Sequence, residues 1–383
     1  MTMQFDWSPE RRQRIAAARA FARETLRCCG RGDELDRAAW RAAAQFGAFR
    51  SAMPVPGRRH GGALESAALF EALGRGGAER GLLFAMGAHL FGCLAPLVTH
   101  ATNEQAAIWE EALRDGSAVG ALAVTEPGCG SSLERVAAEA TPATEGYRIT
   151  GEKTLITNAS AADLFIVLAR LAGVPGPMSL TAFLVPAGSG GVAVTPIPTH
   201  GLAGAPMGVA AFEGCFVPMS AVLGPPGAGL RVFSTAMQWE RSCLLAGFLG
   251  AAERDLAVCR DFLASRDDGG GPLLRHQALA HRLARTKLSL ESARLLLYRA
   301  AWRIDEGQDD RAAAAMAKLA VSEAVVAAAE DTARVMAGAG WRGEAGDPTT
   351  ALADALGGLF ASGTSEMQLE LLARHLPSDG GRR

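Results

Sequence analysis

The chain has 383 residues, with 38 basic and 40 acidic side chains and a formal net charge of −2. This length is sufficient for two or three domains, and the balanced charge argues against nucleic-acid binding. The seven cysteines are scattered and include no C-x-x-C pair, so we expect reduced thiols rather than disulfides or a zinc site. Residues 1–11 are polar and no uncharged apolar run reaches about 18 residues, which predicts a cytoplasmic protein without a signal peptide or membrane span.

Residues 1–118 have the pattern of an α-helical domain. Ser8, followed by proline and glutamate, is typical of a helix N-terminus. Apolar residues recur at helical spacing over 63–73 and 82–98. The sequence at 102–105, Thr-Asn-Glu-Gln, predicts a capping box for a further helix that ends near residue 116.

Residues 119–225 have the pattern of a small β-domain. Tyr147, Ile149 and the Gly-Glu pair at 151–152 predict a hairpin with its turn at that pair. Short runs rich in β-branched and aromatic residues, separated by glycine and proline, predict further strands at 181–185, 192–197 and 209–217.

Residues 226–383 return to the pattern of long helices, with predicted spans at 229–265, 273–306, 310–337 and 352–376. The G-x-G beginning at Gly338 is better explained as the end of a helix than as a nucleotide loop, because no G-x-G-x-x-G stands between a strand and a helix. The seven histidines are dispersed, and no cluster has metal-ligand spacing. The predicted fold class is α+β, with helical, β and four-helix-bundle domains in that order.

A hydroxyl-rich, glycine-punctuated segment at 124–132 reads Val-Thr-Glu-Pro-Gly-Cys-Gly-Ser-Ser. Such a loop offers backbone N–H groups and hydroxyls to an anionic or carbonyl-rich ligand. It is followed by Leu-Ile-Thr-Asn at 155–158 and by an apolar run at 165–170. This order and spacing resembles the flavin-binding β-domain of the acyl-CoA dehydrogenase family, and the layout of helices and strands extends the resemblance over nearly the whole chain.

The resemblance implies that FAD is the cofactor and that several residues contact it within one chain. Val124 and Thr125 match the backbone that faces the pyrimidine end of the isoalloxazine, and Ser131 matches a hydroxyl on the pyrophosphate. Thr157 matches the residue beside flavin N5. Thr364 and Glu366 match a cofactor-touching segment that follows the catalytic position. Leu155 replaces the tryptophan that the family usually stacks near the flavin.

Two further residues match family positions that reach the FAD of a neighbouring subunit, and two others match the family's glycine loop. Arg266 and Gln277 stand eleven residues apart, as do the corresponding arginine and glutamine of the family. Arg334 replaces the glutamine of the family's glycine loop, and Gly338 lies in that loop. The resemblance therefore implies a homodimer or a homotetramer.

The largest departure from the family concerns the catalytic base. Family members remove the α-proton of an acyl thioester, usually with a glutamate directly before Gly-Thr, and Ser362 occupies that place here. A general base typically contributes about 10²–10⁴-fold to rate, so its loss matters. Ser362 retains the backbone N–H that helps the family polarise the thioester carbonyl.

The pair Glu240-Arg241 offers a replacement, because a subset of the family takes its base from the glutamate of this pair. Burial against the flavin would raise the pKa of Glu240 towards a useful range. Glu240 is equally explained as an ordinary helix acid, since Glu-Arg also occurs in relatives that have the usual base. Arg241 is a candidate for binding substrate or for stabilising local charge, whether Glu240 is the base or an ordinary helix acid.

The resemblance implies oxidation of an acyl thioester, by α,β-dehydrogenation or a related reaction. Residues 63–117 look like those of family members in polyketide and peptide assembly, some of which act on groups bound to an acyl carrier protein rather than to CoA. Two alternatives stay open: a flavin monooxygenase of the same fold, which needs no α-proton base, and a non-catalytic protein that binds acyl groups or carriers. The electron acceptor is not indicated.

Overall fold

The computed structural model describes residues 6–26, 34–52, 62–342 and 348–376. Its N-terminal part is helical, as predicted. The helices are α1 (Pro9–Thr25), α2 (Arg37–Gln45), α3 (Ala63–Gly76), α4 (Arg80–Gly87), α5 (Ala95–His100) and α6 (Asn103–Arg114), and a π-helical segment (Ala88–Leu94) joins α4 to α5.

Both predicted helix starts in this part are confirmed by their hydrogen bonds. The Ser8 hydroxyl accepts from the backbone N–H of Arg11 at 3.3 Å, which caps α1. In α6, the Gln105 N–H donates to the Thr102 hydroxyl at 3.3 Å, and the Thr102 N–H donates to the Gln105 side chain at 3.0 Å. These contacts satisfy N–H groups that have no partner inside the helix.

The middle part folds as one sheet with strand order β6-β7-β3-β2-β4-β5-β8, and β1 pairs with β4 in parallel. Its buried face is apolar and includes Ile149, Phe165, Phe183 and Phe212. The strands are β1 (Gly120–Ala123), β2 (Glu139–Ala143), β3 (Gly146–Thr157), β4 (Leu164–Leu171), β5 (Leu180–Pro186), β6 (Val192–Pro196), β7 (Met207–Pro218) and β8 (Val222–Leu223).

The hairpin turn predicted at residues 151–152 is wrong. The chain continues through Gly151 as one strand, with a change of register against β7 between Ile149 and Gly151. Gly151 has a φ of 151°, and a Cβ there would lie 2.7 Å from Ala138. The glycine therefore marks a bulge and a close approach rather than a turn.

The C-terminal part is helical, but two of the four predicted helices are each divided in two. Residues 229–265 form α7 and α8 because Leu245 leaves the helical conformation, at φ −87° and ψ 5°. Residues 352–376 are divided because Ser362 and Gly363 have positive φ values of 56° and 95°. The helices are α7 (Gly229–Cys243), α8 (Ala246–Ser265), α9 (Gln277–Asp305), α10 (Arg311–Trp341), α11 (Pro348–Phe360) and α12 (Ser365–Ala373).

Two helical stretches of the described chain, Arg80–His100 and Arg311–Trp341, are long and apolar enough to cross a membrane by length and composition. Their most apolar windows are 94% and 61% buried inside the protein. Because most of each window is buried, both stretches owe their apolar composition to packing in the protein core. In the stretch Arg311–Trp341, the backbone becomes non-helical at Ala337, which is the residue at which this helix was predicted to end.

Candidate functional site

A buried carboxylate meets the turn between α11 and α12. Glu240, on α7, is only 9% exposed, and its Oε2 accepts a 2.6 Å hydrogen bond from the Ser362 hydroxyl. The helix directs Glu240 inward on the same face as the buried residues Val232, Ala236 and Cys243. The residue at the family's catalytic position, Ser362, and the candidate replacement base, Glu240, are thus in direct contact.

The surroundings of Glu240 favour its protonated form. Burial removes water from the carboxylate and raises the pKa of Glu240 to about 7. The Ser362 hydrogen bond and the Arg241 charge oppose that rise, because both stabilise the ionised form. The carboxylate can therefore take up and release a proton near neutral pH, as a general base must.

The turn that carries Ser362 is held by side chains from two helices. The Arg241 Nε donates to the Ser362 carbonyl at 3.0 Å, and the Gln368 Nε2 donates to the Gly363 carbonyl at 3.0 Å. Thr364 caps α12 by accepting from the Met367 N–H at 3.3 Å. These bonds hold Ser362 in its left-handed conformation, which a non-glycine residue adopts at a cost.

Lys318, on α10, binds the end of α11 just before the same turn. Its Nζ is buried and donates to the Leu359 carbonyl at 2.7 Å, near the C-terminus of α11. Burial and the nearby charge of Arg241 lower the pKa of Lys318 to about 8. A cation at this helix end satisfies a carbonyl that has no partner inside the helix.

Residues 124–132, here called the cofactor loop, begin at the end of β1 and are anchored by a buried ion pair. The Lys153 Nζ lies 2.7 Å from the Glu126 carboxylate and also donates to the Val124 carbonyl at 3.1 Å. The Thr125 carbonyl accepts from the Thr154 N–H at 2.8 Å. These bonds attach Val124 and Thr125 to the C-terminal half of β3, which ends at Thr157.

The cofactor loop and the end of β3 present groups that fit a flavin dinucleotide. Within the described chain, no residue pairs with the hydroxyls of Thr125, Ser131 or Thr157. The Leu155 side chain, two residues before Thr157 on β3, is 58% exposed and offers apolar surface to a ligand. Cβ atoms at Gly128 and Gly130 would meet nothing within 4 Å, which leaves the loop open to a ligand.

Four other predicted cofactor residues lie elsewhere, at one end of the C-terminal helices. Arg266 ends α8, Gln277 begins α9, and both are exposed. Arg334 and Gly338 lie near the end of α10 and are exposed too, with Arg334 paired to Glu330 at 3.1 Å. A small apolar cluster holds these ends together and consists of Cys259, Leu263, Leu283, Val335 and Met336.

This group is remote from the Glu240 site of the same chain. Lys318 and Arg334 are separated by 16 positions on α10, or about 24 Å at 1.5 Å per residue. The structure thus brings Glu240, Arg241, Ser362 and Thr364 together and places Arg266 and its neighbours at the opposite end. Glu366 lies in the first turn of α12, exposed.

Sequence reasoning missed three parts of the site, of which Lys318 on α10 is one. Gln368 is fully buried and binds the Ser362–Gly363 turn, but glutamine on a short helix gives no distinctive pattern. The Lys153–Glu126 pair joins residues 27 positions apart, and its one visible signal is an isolated lysine inside an otherwise half-buried strand.

Comparisons with known proteins cover almost the entire chain. Sequence models of three acyl-CoA dehydrogenase domains match it in order: the N-terminal domain at 8–117, the middle domain at 121–215 and the C-terminal domain at 227–376. An L-prolyl-(peptidyl-carrier protein) dehydrogenase of Pseudomonas fluorescens is 36% identical over 382 residues, which cover 98% of this chain and all of that protein.

Solved structures agree with this assignment. The structure titled "FAD complex of PigA" has a TM-score of 0.92 and 34% identity, covering 98% of this chain and 99% of its own. The prolyl acyl carrier protein oxidase AnaB has a TM-score of 0.92 and 30% identity, covering 97% of this chain and all of its own. With all three domains matched, the chain belongs to the acyl-CoA dehydrogenase family, whose members are FAD-dependent oxidoreductases that act on the CH–CH group of acyl thioesters.

Proposed function

We propose that this protein oxidises an aminoacyl group, prolyl in the first instance, carried as a thioester on a peptidyl carrier protein, with Glu240 as the catalytic base. The observation that carries the proposal is the 2.6 Å bond between Glu240 and Ser362. Ser362 occupies the place of the usual family glutamate, so this bond brings a carboxylate from α7 to the same turn. The printed names of two similar proteins, from Pseudomonas fluorescens and Serratia sp., support the carrier-bound prolyl substrate.

The proton step follows from the position and the pKa of Glu240. In its ionised form, the carboxylate takes the proton from the carbon α to the thioester, and the C–H electron pair becomes part of the new double bond. Bound FAD supplies the acceptor for the hydride that leaves the β carbon. A pKa of about 7 leaves a substantial ionised fraction at neutral pH.

The Ser362 backbone N–H is suited to stabilise the thioester oxygen. No described residue accepts a hydrogen bond from it. The Arg241 and Gln368 bonds hold the Ser362 carbonyl, which lies in the next peptide unit, so the backbone of the turn is restrained directly beside this N–H. A preorganised donor of this kind stabilises negative charge that develops in the transition state.

Cofactor binding is proposed to use residues from two subunits. Val124, Thr125, Ser131 and Thr157 would hold FAD within one chain, together with Thr364 and Glu366. The remote group, which comprises Arg266, Gln277, Arg334 and Gly338, would reach the FAD of a neighbouring chain. The length of α10 between the two groups supports this division, which requires at least a dimer.

The base assignment is tested by Glu240→Gln, which keeps the shape of the side chain and removes the base. We expect flavin reduction to slow by about 10²–10⁴-fold, because the amide cannot take the proton. The measurement is anaerobic bleaching of the FAD absorbance after mixing with a prolyl thioester of a phosphopantetheinylated peptidyl carrier protein. A prolyl-CoA thioester in a parallel series tests the carrier preference.

Glu213→Gln is the matched control, because Glu213 is exposed on β7. It should reduce its flavin at the rate of the unmodified enzyme. Equal rates for Glu240→Gln and the control would show that Glu240 is not the base, and faster bleaching by the CoA thioester would overturn the carrier proposal.

A further inference from the structure

We infer that Gly92 is a positioning residue for the reaction, because the absence of a side chain there leaves the space that the Glu240 carboxylate occupies. A Cβ at position 92 would lie 2.4 Å from Glu240 Oε1. Real Cβ atoms do not approach an oxygen so closely, so any side chain at 92 displaces the carboxylate. The inference rests on the proposed role of Glu240 as the base.

Gly92 belongs to the π-helical segment Ala88–Leu94, which interrupts an otherwise α-helical core stretch. The wider i→i+5 turn changes which residues face each neighbour, and such segments are frequent at functional sites. Here Gly92 faces α7, and the Cβ of Leu122 on β1 lies 3.6 Å from the same Cβ position. Gly92 therefore adjoins both the Glu240 carboxylate and the strand that leads into the cofactor loop.

His89 holds this segment against β1. Its Nδ1 accepts from the Gly120 N–H at 2.9 Å, and its Nε2 donates to the Leu113 carbonyl at 2.9 Å. The aromatic rings of Trp40 and Phe49 pack on the imidazole at centroid distances of 5.0 and 4.7 Å. The segment is fully buried, so Gly92 cannot move away to admit an added methyl group.

The Glu240 side chain can rotate, but it cannot do so and keep its contact. Its Oε2 is bound to Ser362 at 2.6 Å while its Oε1 fills the space above Gly92. A methyl group at 92 therefore moves the carboxylate away from Ser362. A displacement of about 1 Å in catalytic geometry costs on the order of 10²-fold in rate.

Gly87 offers a matched control one turn earlier in the same buried stretch. A Cβ there would lie 2.5 Å from the Cδ1 of Leu244, which is the far end of a flexible apolar side chain. Gly87→Ala thus makes the same chemical change in the same helix without touching Glu240.

The test compares Gly92→Ala with Gly87→Ala in the FAD-loaded enzyme, using the prolyl carrier-protein thioester as the probe. We expect Gly92→Ala to slow flavin reduction on the order of 10²-fold and Gly87→Ala to stay within about two-fold. FAD content should be equal. The pH midpoint of reduction should rise in Gly92→Ala, because the Ser362 bond that favours the carboxylate is lost.

Glu240→Asp in both backgrounds completes the test. The shorter carboxylate vacates the space, so Gly92→Ala should cost less in the Asp background than alone. If Gly92→Ala fails to fold, the added Asp must restore FAD-bound protein, and no restoration overturns the inference. Equal rates and pH midpoints for the two alanine variants also overturn it. An unmodified enzyme that the probe does not reduce, or a fast Glu240→Gln variant, would instead refute the proposed function.

Discussion

At the scale of single residues, the proposed function assigns to a serine and a glutamate the work that one glutamate does in the family. Ser362 retains the turn, the backbone N–H and a hydroxyl, while Glu240 contributes the carboxylate from another helix. The hydroxyl has a direct electrostatic effect, because its hydrogen bond opposes the burial that raises the pKa of Glu240. On the proposal that Glu240 is the base, Ser362 therefore lowers the pKa of that base.

This coupling predicts a pH dependence. If Glu240 is the base, it must be ionised, so flavin reduction at limiting substrate should rise with pH with a midpoint near 7. In Ser362→Ala, the bond that lowers the pKa is absent, so the midpoint should move to higher pH. Stopped-flow reduction between pH 5.5 and 9 measures both midpoints.

Ser292→Ala controls for the loss of a hydroxyl, because Ser292 is exposed on α9 and bonds only to its own helix. Its midpoint should equal that of the unmodified enzyme. An unshifted midpoint in Ser362→Ala would contradict the tuning argument.

At the scale of elements, the π-helical segment depends on a histidine that must stay neutral. Burial lowers the pKa of His89 to about 4, from an ordinary value of 6.5. The folded state therefore binds this proton less readily than the unfolded chain does. The stability that depends on neutral His89 is complete above pH 6.5 and is lost as the pH falls towards 4.

The expected loss from His89 between pH 7 and pH 5 is about 2 kcal/mol in the free energy of unfolding. Urea unfolding of the holoenzyme at both pH values measures it. His89→Gln should be less stable at pH 7 but should lose about 2 kcal/mol less on acidification than the unmodified protein.

His281→Gln, which changes an exposed histidine on α9, should keep the pH dependence of the unmodified protein. If His89→Gln and His281→Gln lose the same stability between the two pH values, acid sensitivity does not arise at His89.

Elements with strong local signals were predictable from sequence, whereas features made by tertiary contacts were not. The caps at Ser8 and Thr102 depend on neighbouring residues and were found. The α7–α8 break at Leu245 was missed because leucine and alanine, which occupy positions 244–246, favour an unbroken helix. In the sequence, Gly92 has the pattern of an ordinary helix residue. Its contact with Glu240, 148 positions later, exists only in the folded protein.

At the scale of the whole molecule, the predicted cofactor residues fall into two groups on different parts of the chain. Thr157 and the cofactor loop belong to the β-domain, whereas Arg266 and Gln277 lie at the junction of α8 and α9. Exposed leucines on α9, Leu288 and Leu295, lie on the same helix as Gln277 and suit a helical contact between subunits.

Mixed dimers test the shared site. A dimer of one Arg266→Ala chain and one Ser131→Ala chain should contain one intact FAD site and one doubly altered site. We expect half of the sites to bind FAD with unmodified affinity in tag-purified mixed dimers. Titration followed by flavin fluorescence measures the stoichiometry and the affinity.

Each parent homodimer serves as a control, because all its sites carry a single change and should bind FAD uniformly weakly. If Arg266 and Ser131 served the same chain's FAD, both sites of the mixed dimer would be singly altered and none would regain unmodified affinity.

The buried Lys153–Glu126 pair has a consequence for how the cofactor is acquired. Lys153 is 0% exposed, and Glu126 also accepts from the backbone of Ala137 and Ala138 at 2.6 and 3.0 Å. These bonds form within the protein, so folding itself holds the start of the loop, residues 124–126, in place. Ordering a residue costs about 1–2 kcal/mol of conformational entropy, and here folding rather than FAD binding bears that cost. The apoprotein should thus bind FAD at a loop whose first residues are already in place. The affinity for FAD should then depend on the contacts that the loop makes with it, with little loss from ordering those residues.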